Sequence, residues 1–133
     1  MTKSTQARLL RAARAASTKA YAPFSKFKVG AAVLTANGRI FAGCNIENSS
    51  YGLTICAERV AIFKAVSAGQ RDIRAVAVFA ESPQSPIPGL TPPCGACLQV
   101  INEFSENAEI VLSNGRSTET YRLKDLLPLG FRL

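Results

Sequence analysis

The sequence contains no histidine and no tryptophan, and no acidic residue precedes Glu47. Without histidine, any zinc site built from nitrogen or sulfur ligands has to use cysteine. No apolar run approaches the roughly 20 residues that a membrane-spanning helix needs, and no apolar signal-peptide core follows Met1. We therefore expect a cytoplasmic protein that has no membrane partner.

Because early acidic residues are absent, the net charge of +7 comes entirely from the first third of the chain, where eight basic residues face no acidic one; the rest has eight basic and nine acidic residues. Arg8, Arg11 and Arg14 recur at helical spacing, which predicts a basic helix face. Such a face fits nucleic-acid or anionic-surface binding, an Arg- and Ser-rich targeting peptide, or a solvated side of a docked helix. Leu9 and Leu10, together with neighbouring alanines, supply an apolar side for docking, and this favours the third interpretation.

The remaining sequence alternates between helix and strand patterns, and its 133 residues fit one domain, 1–133. Ser4 is the predicted N-cap of the first helix, and Asn37-Gly38 predicts a tight hairpin. Residues 81–93 carry five of the seven prolines and are predicted to be a loop. The order of elements indicates an α/β sheet covered by helices. The predicted helices are 4–20, 56–68, 94–104 and a turn at 124–127; the predicted strands are 27–35, 39–44, 73–80, 110–112 and 118–121.

Four cysteines carry the chemistry: Cys44, Cys56, Cys94 and Cys97. Because no secretion signal is present, a disulfide framework is not expected. The Cys94-x-x-Cys97 pair alone is compatible with a redox dithiol, a structural zinc site or a catalytic zinc site. Cys44 is best interpreted as a small buried apolar residue with no metal role.

Cys56 and Cys94 each open a predicted helix, where the unpaired N–H groups and the helix dipole favour a thiolate. Two residues separated by one position diverge by about 200° in a regular helix. Cys56 and Glu58 therefore converge only if Cys56 is the non-helical cap. Arg59 would then lie near the thiolates and offset their charge. A first-turn acid beside a surface base is also common on ordinary helices, so both interpretations stay open here.

Taken together, these residues resemble the signature of the zinc-dependent cytidine deaminases. The resemblance rests on Cys56-Ala57-Glu58-Arg59 and Pro93-Cys94-Gly95-Ala96-Cys97, and it continues in segments 27–32, 43–48 and 126–128. It covers nearly all of the chain from Tyr21 onward and is closest to the small branch whose zinc ligands are all cysteine. The implied fold is an α/β/α three-layer sandwich with a mixed five-stranded sheet.

The resemblance also implies a role for each residue of the catalytic centre. Cys56, Cys94 and Cys97 would hold one Zn²⁺ per chain, with water as the fourth ligand. Glu58 would shuttle protons from that water to the ring and then to the departing ammonia. Arg59 would tune the charge of the thiolates.

For the substrate, the resemblance implies a nucleoside bound at a subunit boundary of a homotetramer. One group of residues would contact the nucleoside within a chain, and a second group would complete the pocket of a neighbouring subunit. The first group is Phe27 stacking on the base, Asn45 and Glu47 on the ribose hydroxyls, and the backbone of Ala57 on the base edge; the second is Tyr51 and Phe131.

The implied function is hydrolytic deamination of cytidine and 2′-deoxycytidine to uridine and 2′-deoxyuridine, as in pyrimidine salvage. The alternatives are a blasticidin-S-type specificity, editing of RNA or single-stranded DNA, and a zinc module that only joins two helices. The basic first third is the only support for a nucleic-acid substrate, so we do not expect one. Two features depart from the family pattern: Leu98 in place of a common arginine, and the long proline-rich segment 81–93.

Overall fold

A five-stranded sheet and four α-helices make up the part of the chain that the computed structural model describes, residues 1–81 and 89–133. The helices are α1 (Lys3–Ser17), α2 (Ala57–Ser67), α3 (Gly95–Glu103) and α4 (Leu123–Leu126). The strands are β1 (Val29–Thr35), β2 (Ile40–Cys44), β3 (Ile73–Ala80), β4 (Glu109–Ser113) and β5 (Thr118–Arg122). A short 3₁₀ turn, Tyr51–Leu53, lies between β2 and α2.

The sheet has the strand order β2-β1-β3-β4-β5, and its pairings are antiparallel except for the parallel pair β3–β4. β1 and β2 form the predicted hairpin, in which Gly38 takes the positive φ of 85° that the turn requires. β3 lies at the centre, and all of its residues except the exposed Arg74 are buried, which explains the apolar run from Ala75 to Ala80. The predicted mixed five-stranded sheet is confirmed.

Helices cover both faces of the sheet and form the three predicted layers. On one face, Leu9 and Ala13 of α1 are buried against alanines and Phe79 of the sheet. On the other face, α2 and α3 pack over a larger core to which α4 contributes Leu123. The first helix thus docks through its apolar side, as predicted, while Arg8, Arg11 and Arg14 stay exposed.

Some predicted boundaries were wrong. Thr2, not Ser4, caps α1, because the Thr2 hydroxyl oxygen accepts a hydrogen bond from the Thr5 N–H at 3.1 Å. The helix ends at Ser17 and not at residue 20, since Tyr21 already donates its N–H to the carbonyl of Asn45. The 3₁₀ turn was not predicted. Of the predicted loop 81–93, residues 82–88 lie outside the described residues.

None of the helices in residues 1–81 and 89–133 combines the length and the apolar character needed to cross a lipid bilayer.

Candidate metal centre and active site

Two helix N-termini meet at the cysteine cluster. Cys56 is the N-cap of α2 and Cys94 is the N-cap of α3, and both have extended backbone angles. Cys97 lies in the first turn of α3 and is fully buried. The expectation that Cys56 occupies a non-helical cap is therefore confirmed. Both ends direct unsatisfied N–H groups and the positive end of a helix dipole toward the sulfurs, which favours thiolates.

The three sulfur atoms fit the size of a zinc ion. All of them lie within 4.8 Å of one another. The Sγ atoms of Cys56 and Cys94 are 3.9 Å apart, and those of Cys94 and Cys97 are 3.5 Å apart. Tetrahedral zinc with ~2.3 Å bonds to sulfur requires separations of about 3.8 Å. The donor set is therefore suited to zinc and leaves one tetrahedral position for a further ligand.

The charge of the thiol cluster is divided unequally between its members. The adjacent Cys97 thiol and the Arg59 guanidinium lower the pKa of Cys56 to about 5. The Nη2 atom of Arg59 lies 3.6 Å from the Cys56 sulfur. The pKa of Cys97 is raised, because its thiol is hydrogen-bonded to Cys56 and is buried. The Cys56 thiol is therefore the more acidic of these two thiols.

Glu58 lies beside the cysteine cluster and is almost completely buried, with 4% of its surface exposed. Burial raises the pKa of its carboxyl group to about 7, and the negative charge of Cys56 adds to that effect. A carboxyl group with such a pKa can accept and release a proton near neutral pH. Ala57, between Cys56 and Glu58, is also fully buried and is the first residue of α2.

Backbone hydrogen bonds connect the metal centre to the segments predicted to bind a nucleoside. Ile46 and Ile55 exchange both N–H···O bonds, at 2.9 and 3.0 Å, and Ile55 directly precedes Cys56. On its other side, Ile46 is bridged to Tyr21. In this extended segment Asn45 and Glu47 are buried while Ile46 is exposed, as the alternation of an extended chain requires. Asn45 and Glu47 therefore share one face.

The side chains of Asn45 and Glu47 are both bonded to the segment that carries Phe27. Asn45 accepts the N–H of Val29 at 2.9 Å and donates to the carbonyl of Phe27 at 2.8 Å. Glu47 accepts the N–H groups of Phe24 and Ser25 at 3.0 and 3.1 Å. Phe27 itself is half-buried and packs against the core on the side of α2 and α3. The structure thus brings these three predicted residues together at one end of the β1–β2 hairpin.

Tyr51 and Phe131 are not brought into the pocket of their own chain by any contact among the described residues. Both side chains are exposed, at 60% and 65% of their surface. The carbonyl of Phe131 accepts hydrogen bonds from Gln99 of α3 and from Asn102, at 2.9 and 3.2 Å. The C-terminal segment is thus fixed to the helix that carries Cys97, while the Phe131 ring faces outward.

Sequence reasoning did not identify Ser25, whose hydroxyl donates to Glu47 and accepts the N–H of Phe27. No motif marks it, because its partner is 22 positions away. The neighbouring Lys26 has a φ of 61°, a left-handed conformation that is uncommon for residues other than glycine. Leu98, which departs from the family pattern, directly follows Cys97. It is buried in the core cluster and brings no charge to the thiols.

Comparisons with known proteins agree with this site. The family model described as "Cytidine and deoxycytidylate deaminase zinc-binding region" matches residues 3–113. A cytidine deaminase from Sporosarcina psychrophila is 48% identical over 127 residues, which are 93% of this chain and 89% of the relative. The blasticidin-S deaminase of Bacillus cereus is more distant, with 30% identity over 111 residues, covering 80% of this chain and 79% of the relative.

A crystal structure of cytidine deaminase from Burkholderia pseudomallei has the same fold. It superimposes with a TM-score of 0.87 at 47% identity, and the match covers 98% of this chain and all of the other. The sulfur cluster, the buried glutamate beside it and the sheet order are thus found in a chain that matches the family along most of its length. The protein belongs to the family of zinc-dependent cytidine and deoxycytidylate deaminases.

Proposed function

We propose that the protein hydrolyses the exocyclic amino group of cytidine and 2′-deoxycytidine, releasing uridine or 2′-deoxyuridine and ammonia. The observation that carries this proposal is the buried carboxyl group of Glu58, with a pKa of about 7, next to three thiols that fit zinc. A zinc module that only joined two helices would have no use for that carboxyl group. The identity to curated cytidine deaminases, higher than that to blasticidin-S deaminase, favours a plain cytosine nucleoside.

In the proposed complex the nucleoside lies between the Phe27 segment and the cysteine cluster. Phe27 stacks on the pyrimidine ring, since a half-buried ring at the edge of the core offers one face. Asn45 and Glu47 hold the ribose hydroxyls from the face that they share. The backbone of Ala57 contacts the base edge. This places C4 of the base toward Cys56, Cys94 and Cys97.

Glu58 carries the protons of the reaction. Cys56, Cys94 and Cys97 would hold the zinc, which would supply a water acidic enough to act as a nucleophile near neutral pH. The Glu58 carboxylate takes a proton from the attacking water and passes it to N3 of the ring as the C4–O bond forms. It then takes the proton of the new C4 hydroxyl and delivers it to the amino group, so that the C4–N bond breaks with loss of neutral ammonia and the C4=O bond of uridine forms. A carboxyl group with a pKa of about 7 is suited to both directions of transfer.

We propose that the active molecule is a homotetramer. A groove of about 450 Å³ next to Glu47 is lined largely by apolar side chains, including the exposed Ile46, Leu53 and Phe63. Contiguous exposed apolar surface of this kind is typical of protein contacts. We place the activity in the cytoplasm, because a site made of three thiols is suited to a reducing compartment.

The first experiment measures the loss of ultraviolet absorbance as cytidine is converted, with protein of known zinc content. We expect conversion that stops when a strong chelator removes the zinc. Glu58→Gln should keep zinc and fold but lose at least about 100-fold in kcat, the scale of general acid–base catalysis.

Glu103→Gln, at the exposed end of α3, is the matched control and should be unaffected. Near-normal turnover by Glu58→Gln would contradict the assigned mechanism. A fully zinc-loaded protein with no turnover of either nucleoside would overturn the proposed substrate.

A further inference from the structure

The orientation of the Glu47 carboxylate is set by a hydrogen-bond network in which Ser25 has a central place. Phe24 and Ser25 both donate their N–H groups to Oε1 of Glu47, at 3.0 and 3.1 Å. The Ser25 hydroxyl donates to the other oxygen, Oε2. An ionised carboxylate has about four acceptor positions, so the network fills three of them. Among the contacts of residues 1–81 and 89–133, one acceptor position, on Oε2, is left for a ligand.

The Ser25 hydroxyl is itself held in a defined rotation. Its oxygen accepts the N–H of Phe27 at 3.0 Å, which directs the hydroxyl hydrogen away from that side and toward Glu47. The terminal torsion of a glutamate is soft. Two N–H groups on Oε1 therefore do not fix the position of Oε2, and the Ser25 hydroxyl is the group that does.

The backbone between Ser25 and Phe27 adopts an unfavourable conformation in this arrangement. Lys26, between Ser25 and Phe27, has a φ of 61°. Backbone conformations of this kind are unfavourable for a residue with a side chain and persist where the surroundings enforce them. The contacts of Ser25 on one side, and of Asn45 with Phe27 and Val29 on the other, enclose Lys26.

We infer that Ser25 is a positioning residue for nucleoside recognition, which holds the free acceptor of Glu47 toward a sugar hydroxyl and couples it to the Phe27 segment. The inference rests on the proposed function, because it takes Glu47 to be the ribose-binding group. The Ser25 hydroxyl is also the largest cause of the lowered pKa of Glu47, so the carboxylate stays ionised and only accepts. A substrate must therefore offer a hydroxyl donor at this point.

The test compares cytidine with 2′,3′-dideoxycytidine, which lacks both ring hydroxyls of the sugar. The ratio of their kcat/KM values measures how much the enzyme gains from those hydroxyls. Ser25→Ala should reduce this ratio by about tenfold, the scale of one hydrogen bond to a charged group. The loss should fall on cytidine and mainly on its KM, because Ser25 has no part in the proton transfers.

Further variants separate positioning from a general effect on the fold. Ser25→Thr keeps a hydroxyl and should retain most of the ratio, and Ser25→Gly should repeat the effect of Ser25→Ala. Ser67→Ala is the matched control, since this exposed hydroxyl bonds only to the carbonyl of Lys64 among the described residues. If Ser25 acts through Glu47, Ser25→Ala should change the ratio less than about twofold in a Glu47→Gln background. All variants are compared at equal zinc content and with thermal melting curves.

An unchanged ratio in Ser25→Ala, or an equal loss on both substrates, would overturn the positioning role. So would an additive effect in the Glu47→Gln background. A wild-type enzyme that converts cytidine and dideoxycytidine equally well would overturn it while leaving deamination itself intact. A zinc-loaded wild type that converts neither would instead contradict the proposed function, and the two failures are thereby distinguished.

Discussion

Arg59 is the residue that brings positive charge to the thiol cluster. Zn²⁺ with three thiolates carries a net charge of −1, and the Arg59 guanidinium lies 3.6 Å from the Cys56 sulfur. Arg59 is one of the groups that lower the pKa of Cys56. Without it protons compete better for the sulfur, and metal binding is weakened because the ligand has to be deprotonated.

We therefore expect Arg59→Gln to weaken zinc binding by about tenfold or more, the usual scale for groups that support metal ligands. The measurement is the rate and extent of zinc transfer to a coloured chelator, followed over a range of pH. The loss should be larger at low pH. Arg71→Gln, an exposed arginine before β3, is the control. Equal zinc retention by Arg59→Gln and the wild type would show that the guanidinium does not support the cluster.

For single residues, the sequence predicts a role when the partners of the residue are close to it along the chain. Cys56, Glu58 and Arg59 belong to one short motif, and helix geometry allows Cys56 and Glu58 to converge only when Cys56 is the non-helical cap. Ser25 could not be predicted in this way, because its role exists only after the loop meets Glu47, 22 residues later. The side-chain bonds of Asn45 to the Phe27 segment, 16 and 18 residues away, were missed for the same reason.

At the scale of elements, Gly30 decides how closely α1 approaches the sheet. A Cβ atom added at Gly30 would lie 1.8 Å from the carbonyl oxygen of Ala13 and 2.6 Å from the amide nitrogen of Ser17. Both atoms are backbone atoms of one rigid helix. They cannot move aside as a flexible side chain can.

We expect Gly30→Ala to lower the free energy of unfolding by at least about 2 kcal/mol, because the helix has to move off β1. Denaturant unfolding of the zinc-loaded protein measures it. Gly52→Ala is a suitable control, since a Cβ there meets no atom of the described chain within 4 Å. A Gly30→Ala protein as stable as the control would mean that the helix is not held against β1 at this point.

Local sequence patterns predicted approximately where helices and strands begin and end, but they did not predict which strands pair with each other. β3 was predicted as Ile73–Ala80 and has those bounds, because its sequence is apolar except for Arg74, which lies near the start of the strand and is exposed. α2 and α3 each begin one residue later than predicted, because the predicted first residues, Cys56 and Cys94, are the non-helical caps. The parallel pairing of β3 with β4 depends on the whole chain and was not predicted; the family resemblance implied only that the sheet is mixed.

At the scale of the whole molecule, several exposed side chains have no explanation within one chain. Tyr51, Leu53 and Phe131 expose 60% or more of their surfaces, although each is a large apolar or aromatic residue. Such residues are typical of surfaces that become buried in an assembly. A proposed homotetramer would have four times the chain mass of 14.2 kDa, which light scattering can measure directly.

A mixing experiment tests whether subunits share their active sites. Gln99 and Asn102 fix the backbone of Phe131 to α3, while its ring is exposed and free to enter a neighbouring pocket. Phe131→Ala should therefore impair a neighbour's site, whereas Glu58→Gln impairs its own. After the two variants are unfolded and refolded together, hybrid oligomers contain sites with an intact Glu58 from one chain and an intact Phe131 from the other. We expect activity above the sum of the separately refolded variants.

The control is a mixture of Glu58→Gln and Glu103→Gln. Because the Glu103→Gln chains keep both Glu58 and Phe131, their activity after refolding measures the refolding yield without any complementation. Phe131→Ala should raise KM more than it lowers kcat, because the ring would contact the nucleoside and not the transferred protons. Mass spectrometry of the intact oligomers shows whether hybrids have formed. If they have, and the mixture is no more active than the sum of the separately refolded variants, each site is complete within one chain. In that case the exposed Phe131 ring serves the contact between subunits and not the substrate.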